Sequence, residues 1–293
     1  MTRLRSFMAR LALLGAIVLM APPALTVPPS ANPAGKQTAP EASHPQKAQL
    51  LAELLTQYHY RELALNDELS SRVLDAYINA LDQERYYFLA EDIASFERFR
   101  TQLDDDLRRG RLDSAYEVFR VYQQRVKERS DFALSLLSEP LDFSGQETLE
   151  LDRSKAPWAK TKAELDDLWR RRVKNDALML KMASQEPAKV TEILGKRYQR
   201  LARTVEDYSA EEVFQTYMNA WAQNFDPHTS YMSPRLSESF DIHMRLSLEG
   251  IGAMLRSDND LTEVVELVPG GPAAKSGQLA PGDRIIGVGE GDS

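Results

Sequence analysis

From Lys47 to Arg245 the apolar side chains recur at intervals of three and four, and no segment of comparable length alternates. That period puts them on one face of successive helices, which confines the span to helix-on-helix packing. Leu50, Leu51, Leu54, Leu55 and Tyr58 give a first stripe, and Leu69, Val73, Tyr77, Ile78 and Leu81 give a second. Asp92 stands near the start of a third helix whose face is Ile93, Phe96, Phe99, Leu103 and Leu107 and which Gly110 ends. Asp113 reads as the N-cap of a helix carrying Tyr116, Phe119, Tyr122 and Val126, and Glu139-Pro140 stops it. The weakly patterned stretch to Pro157 reads as a loop. A long charged helix then runs from Lys160 to Gln185, Pro187 opens another to Glu206, and Ser209 caps one that holds Val213, Phe214, Tyr217 and Trp221. The span 47–245 is therefore an all-α domain.

At Leu246 the pattern changes. Gly250-Ile251-Gly252-Ala253 is a loop of small residues that can turn successive N–H groups toward one point, a nest suited to a carboxylate. Ile251 to Leu255 and Thr262 to Val268 are short β-rich runs joined by Ser257-Asp258-Asn259-Asp260, which predicts a hairpin. Pro272 starts a short helix over Ala273, Ala274 and Lys275, Gly277 closes it, and Asp283 to Val288 returns to strand. A carboxylate nest beside an exposed strand edge is the physics of recognising a free polypeptide C-terminus.

These residues resemble a known family. Gly250-Ile251-Gly252-Ala253, Gly270-Gly271-Pro272-Ala273-Ala274 and Gly282-Asp283-Arg284-Ile285-Ile286 look like the PDZ domain of the C-terminal processing peptidases, the tail-specific proteases. LDQERYYFLAEDIASFE (81–97) and DPHTSYMSP (226–234) resemble the N-terminal helical region of the larger, periplasmic member, so the likeness runs over about residues 47–293. The fold class expected is mainly α, a multi-helix N-terminal domain followed by an α+β PDZ-like domain over 246–293. The second groove helix of a PDZ domain has no counterpart after Val288, and the chain is expected to end inside that domain. In the family a serine nucleophile and a lysine base lie in a protease domain beyond the PDZ domain. No residue here matches them, and no catalytic residue is assigned.

Other candidate chemistry is weaker than its structural alternative. Lys275 and Ser276 are adjacent on a short helix and point well apart, which is poor geometry for a nucleophile and its base. Gly287-Val288-Gly289-Glu290-Gly291 lacks the strand-turn-helix setting of a dinucleotide loop. His44 falls in a linker and His59 on a helix, and His228 and His243 have no acidic partner at ligand spacing, so no metal or other cofactor is expected. Asp226 ahead of Pro227 favours an Asx turn over general-base chemistry. Ala76–Asp82 with Arg85–Leu89, and Thr216–Trp221 with Asp226–Tyr231, are worded alike. A duplicated helix-turn unit and a chance similarity are both open.

Residues 1–24 join Arg3, Arg5 and Arg10 to the apolar run Leu11–Met20 and then Ala21-Pro22-Pro23-Ala24. The run is about half the roughly twenty residues a membrane span needs, and it reads as a signal peptide. The alternative is an uncleaved inner-membrane anchor. Residues 25–46, with Pro28, Pro29, Pro33, Pro40 and Pro45, have the composition of a linker. Net charge is −8, which disfavours nucleic acid and allows membrane association at most, and the sequence has no cysteine for a disulfide or lipid anchor. The function expected is that of the N-terminal part of a periplasmic serine endopeptidase that recognises the C-terminal tails of envelope proteins, with an adaptor protein docking on the helical domain. A non-catalytic peptide-binding module or scaffold is the competing expectation.

Overall fold

The computed structural model describes residues 38–183, 185–245, 250–258 and 261–289. The leader, most of the Pro-rich segment, Leu246–Glu249, the turn residues Asn259 and Asp260, and Glu290–Ser293 lie outside that set, as does the side chain of His243.

The element order is α1 (His44–Glu53), α2 (Asp67–Leu81), α3 (Ala90–Phe96), α4 (Leu103–Arg109), α5 (Asp113–Leu136), α6 (Lys162–Met182), α7 (Pro187–Glu206), α8 (Ala210–Phe225), α9 (Pro234–Arg245), β1 (Ala253–Asp258), β2 (Leu261–Leu267), α10 (Pro272–Ser276) and β3 (Arg284–Ile285). The molecule is mainly α, with a small antiparallel sheet of order β1-β2-β3 after the helices. Ser209 caps α8 in a capping box: its hydroxyl accepts from Glu212 N–H, and the Glu212 carboxylate accepts from Ser209 N–H at 2.7 Å. Pro187 occupies the first turn of α7, and Gly110 ends α4 at φ +67°, where an added Cβ would stand 2.7 Å from the Pro45 carbonyl oxygen.

Two apolar clusters organise the helices. One gathers Leu69, Val73, Tyr77, Phe119, Phe214 and Trp221, where α2 packs on α8. The other is built on Leu165, Trp169, Val173, Leu194 and Tyr198, where α5 meets α6 and α7. Tyr87 and Leu201 pack against both.

Several expectations change. The helix starting near Asp92 breaks into α3, a 3-10 turn over Glu97–Phe99 and α4, which leaves Ile93 and Phe99 half-buried. The break is held by Ser70, whose hydroxyl accepts the Leu103 N–H at 3.0 Å from a different helix. Asp113 is the first residue of α5, and Leu112 takes the cap position. The linker expected to run to residue 46 gives way to helix at His44, because the His44 ring is buried against Phe214 at 4.3 Å. The first stripe holds only in part: Leu55 is buried and Leu51 packs on the core as expected, but Leu50, Leu54 and Tyr58 are 55%, 46% and 72% exposed, and Ala48 and Ala52 are buried in their place. Small side chains bring α1 close to α4, and a π-helical turn over Leu54–Tyr58 shifts the face that follows. His59 lies past that turn in extended backbone, not on a helix.

Beyond α9, Ser257 and Asp258 pair with Thr262 and Leu261, so the hairpin closes over two residues where four were expected. Val265 is the extra residue of a bulge opposite Met254 and Leu255. The last strand shortens to Arg284–Ile285, since its ladder reaches only Thr262 near the start of β2; Ile286 and Val288 are 88% and 92% exposed.

Candidate functional site

The residues singled out as a carboxylate loop lie between α9 and β1. The Ile251 carbonyl accepts from Ala273 N–H and the Gly252 carbonyl from Val268 N–H, both at 2.8 Å. Gly252 has φ +73°, and a Cβ there would meet Gly271 Cα and Pro272 Cδ at 3.1 Å, so only glycine fits this close approach. With their carbonyls fastened inward, the N–H groups of Ile251 and Gly252 have no backbone acceptor among the described residues. Ile251 is half exposed beside them, and among the described residues β1 is paired on one edge only, by β2. The arrangement can offer unpaired donors to an anion and a strand edge to an extended peptide. Behind the loop, α10 starts at Pro272 and ends at Gly277 with φ +66°, and Ala273 and Val264 are the buried apolar residues of the segment. Ser276 donates to the Ala273 carbonyl at 2.9 Å and Lys275 is exposed, so the pair serves the end of α10.

The two polar turns of the helical domain are built on aspartates. The buried Asp82 carboxylate accepts N–H groups from Tyr86, Tyr87 and Phe88 at 2.8, 2.8 and 2.9 Å, folding the backbone after α2 into a tight reversal. Burial raises Asp82 above its ordinary value, against the three N–H donors and the Arg172 charge that lower it. Arg85 takes φ +55° at the apex; its guanidinium stacks on Trp158 and donates to the Ala156 carbonyl. Asp92 then accepts Leu89 N–H at 2.8 Å and both arms of Arg125 at 2.9 Å.

In the second turn Asp226 Oδ1 accepts His228 N–H at 2.8 Å, the Asx turn expected from the sequence, and its other oxygen accepts from Tyr60. The Tyr60 bond and the His228 N–H hold Asp226 below its ordinary value. His59 Nδ1 accepts Arg61 N–H at 3.1 Å, so Nε2 carries the proton and donates to Thr229 Oγ1 at 3.1 Å. A histidine so committed does not activate Thr229 as a nucleophile. Asn219 clamps Tyr231 through both of its backbone groups, whereas Asn79 at the matching place in the first turn is exposed.

A third cluster escaped the sequence reading because its members are far apart in the sequence. His44 Nε2 lies 2.9 Å from Glu211 Oε2, which also receives Lys47 Nζ at 2.9 Å, while Tyr231 OH donates to Oε1 at 2.7 Å. Glu41, His44 and Glu211 converge closely enough to ligate a metal ion, but the Lys47 ammonium already occupies the cation's place on Glu211. Burial raises the Glu211 carboxylate, and the bonds from Lys47, Tyr231 and His44 outweigh it and hold the group below its ordinary value. The network ties the first turn of α1 to α8 and to the DPHTSY turn.

Residues 51–235 match the family model of the tail-specific protease N-terminal domain. The chain belongs to the tail-specific protease family. Residues 239–292 match the PDZ domain model, which includes the whole of Gly250–Ala253. A tail-specific protease of Haemophilus influenzae is 43% identical over 237 residues, 80% of this chain and 34% of the relative. A carboxy-terminal processing protease of Bacillus subtilis is 38% identical over 63 residues, 22% of this chain and 13% of that relative. The chain thus spans about a third of the length of the Haemophilus relative. In this member of the tail-specific protease family the motif LDQERYYFLAEDIASFE is the aspartate-centred reversal, and DPHTSY is the turn that docks on Tyr60 and Glu211. Among the described residues, no helix is long and apolar enough to cross a membrane.

Proposed function

We propose that this protein is the substrate-recognising front part of an exported, periplasmic tail-specific serine protease, and that Gly250–Ala253 binds the carboxylate of a substrate's C-terminus. The observation that supports the reading is the pair of N–H groups at Ile251 and Gly252, which have no backbone acceptor among the described residues, beside an edge of β1 that has no partner strand among them. The loop takes the terminal charge and the tail adds to β1, an extended mode that reads backbone first and side chains second. The serine and lysine that cut the tail belong to sequence outside these 293 residues, and the helical domain is the surface for an adaptor.

The test is the anisotropy of a fluorescent octapeptide with an apolar C-terminal residue, compared with its C-terminally amidated twin. The free acid binds at least about tenfold more tightly, in line with loss of a charge-assisted bond in the twin. Gly252→Val, which crowds Pro272 and forbids φ +73°, removes most of that difference. Equal binding of acid and amide sinks the reading. Export is checked separately by N-terminal sequencing of protein from the periplasm, where a start beyond about residue 24 is expected and an intact Met1 favours the anchor.

A further inference from the structure

A cavity of about 320 Å³ opens between the end of α5, the loop after it and the facing ends of α6 and α7. Its apolar surface comes from Leu137, Leu141, Phe143, Ala177 and Val190, and its size is at the lower end of pockets that hold small ligands. Two charged residues line it, Lys181 and Glu139, and neither has an ion-pair partner among the described residues. The contrast with Lys174 next door is informative. That ammonium is 2.7 Å from Glu147, whereas Lys181 Nζ lies 4.9 Å from the centre of the Phe143 ring and has no carboxylate at ion-pair distance among the described residues. Gln185 and Thr191 add an amide and a hydroxyl able to bond peptide groups.

We propose that this cavity is a second docking site for polypeptide C-termini, taking one apolar terminal side chain into the Leu137–Val190 hollow while Lys181 pairs with the terminal carboxylate. Gln185 and Thr191 stand exposed at the rim, where a peptide's N–H and C=O groups can bond them and a plain hydrocarbon acid offers nothing to do so, which favours a peptide. Glu139 sets the specificity: it repels a second negative charge, so the site accepts a tail with one carboxylate and rejects a tail whose last residues are acidic. The site stands on the helical domain and does not depend on the Gly250–Ala253 loop. A tail has one terminal carboxylate, so it occupies the loop or the cavity and not both at once.

The experiment uses the 293-residue protein with Gly252→Val, so that the loop after α9 is disabled and what remains is read alone. Residual anisotropy binding of the apolar octapeptide is expected, reduced roughly tenfold by amidation and to a similar extent by Lys181→Glu, the loss typical of a reversed charge partner. Glu139→Gln widens acceptance to a peptide ending in two acidic residues. Lys181 is exposed, and its replacement leaves the fold intact as read by helical circular dichroism. The proposal is overturned if no residual binding exists, if Lys181→Glu leaves it unchanged, or if octanoate displaces the peptide at equal concentration. Binding by the unmutated protein that vanishes with Gly252→Val and ignores Lys181→Glu would uphold the loop and refute the cavity.

Discussion

Glu211 and Asp82 are both partly or wholly removed from water, yet they load the molecule in opposite directions. Glu211 is held below its ordinary value in the fold, so its stabilisation is complete above the unfolded carboxylate value of about 4.3 and is lost as pH falls through the lower folded value. Asp82 is raised, so its contribution is complete below its unfolded value and is lost as pH rises through the higher folded one. Glu211→Gln is expected to cost about 1–3 kcal/mol at neutral pH, because His44 and Lys47 lose a charged acceptor, and to flatten the acid limb of the stability curve. Urea titrations at several pH values decide this; an unchanged acid limb would show the network to be inert. Asp82→Ala strands three buried N–H groups and is expected to cost about 3 kcal/mol or more. A loss under about 1 kcal/mol would mean that water reaches the turn.

At the scale of elements, α1 and the π-helical turn after it show how tertiary contact overrules an amphipathic stripe. Leu54 and Leu55 are neighbours of the same type, but only Leu55 is buried. Leu54→Ser is therefore expected to change stability by about 0.5 kcal/mol or less, and Leu55→Ser to cost about 2–4 kcal/mol. Thermal melts of the two variants make the comparison, and equal shifts would restore the face read from the sequence. In the helices α2 and α8 the stripes are as the period predicts, since both turn their large residues into the one cluster they share. The aspartates that end α2 and α8 look alike in sequence and do different work: one closes a buried reversal on three amides, the other binds Tyr60 at the surface.

For the molecule as a whole, the two apolar clusters of the helical domain are joined through Tyr87 and Leu201, and their aromatics run on from one to the other, as in Tyr87 against Tyr122 at 5.5 Å and against Trp169 at 5.7 Å. Shared side chains of this kind couple the clusters, so the helical domain is expected to unfold in a single step. Variants that keep Trp169 alone or Trp221 alone report on different clusters, and coincident urea midpoints are expected from both. Midpoints separated by more than about 0.5 M would show two independent units.

The sequence determined the helical period, the caps at Ser209 and Pro187, the terminators Gly110 and Gly277, the switch to strand after Gly250, and the motifs that carry family membership. Each of these is written in side chains within a few residues of one another, where local sterics and hydrogen bonding decide the outcome. Tertiary structure alone decided what depends on residues far apart. It turned α1 onto its alanines, broke the helix at Glu97 by reaching in from Ser70, and brought His44 within 2.9 Å of Glu211. It also made a cavity from a loop with little pattern, because Leu141 and Phe143 have no periodic neighbours and become a wall only when α6 and α7 close around them. Burial and long-range pairing are properties of the assembled molecule, and no local window of sequence contains them.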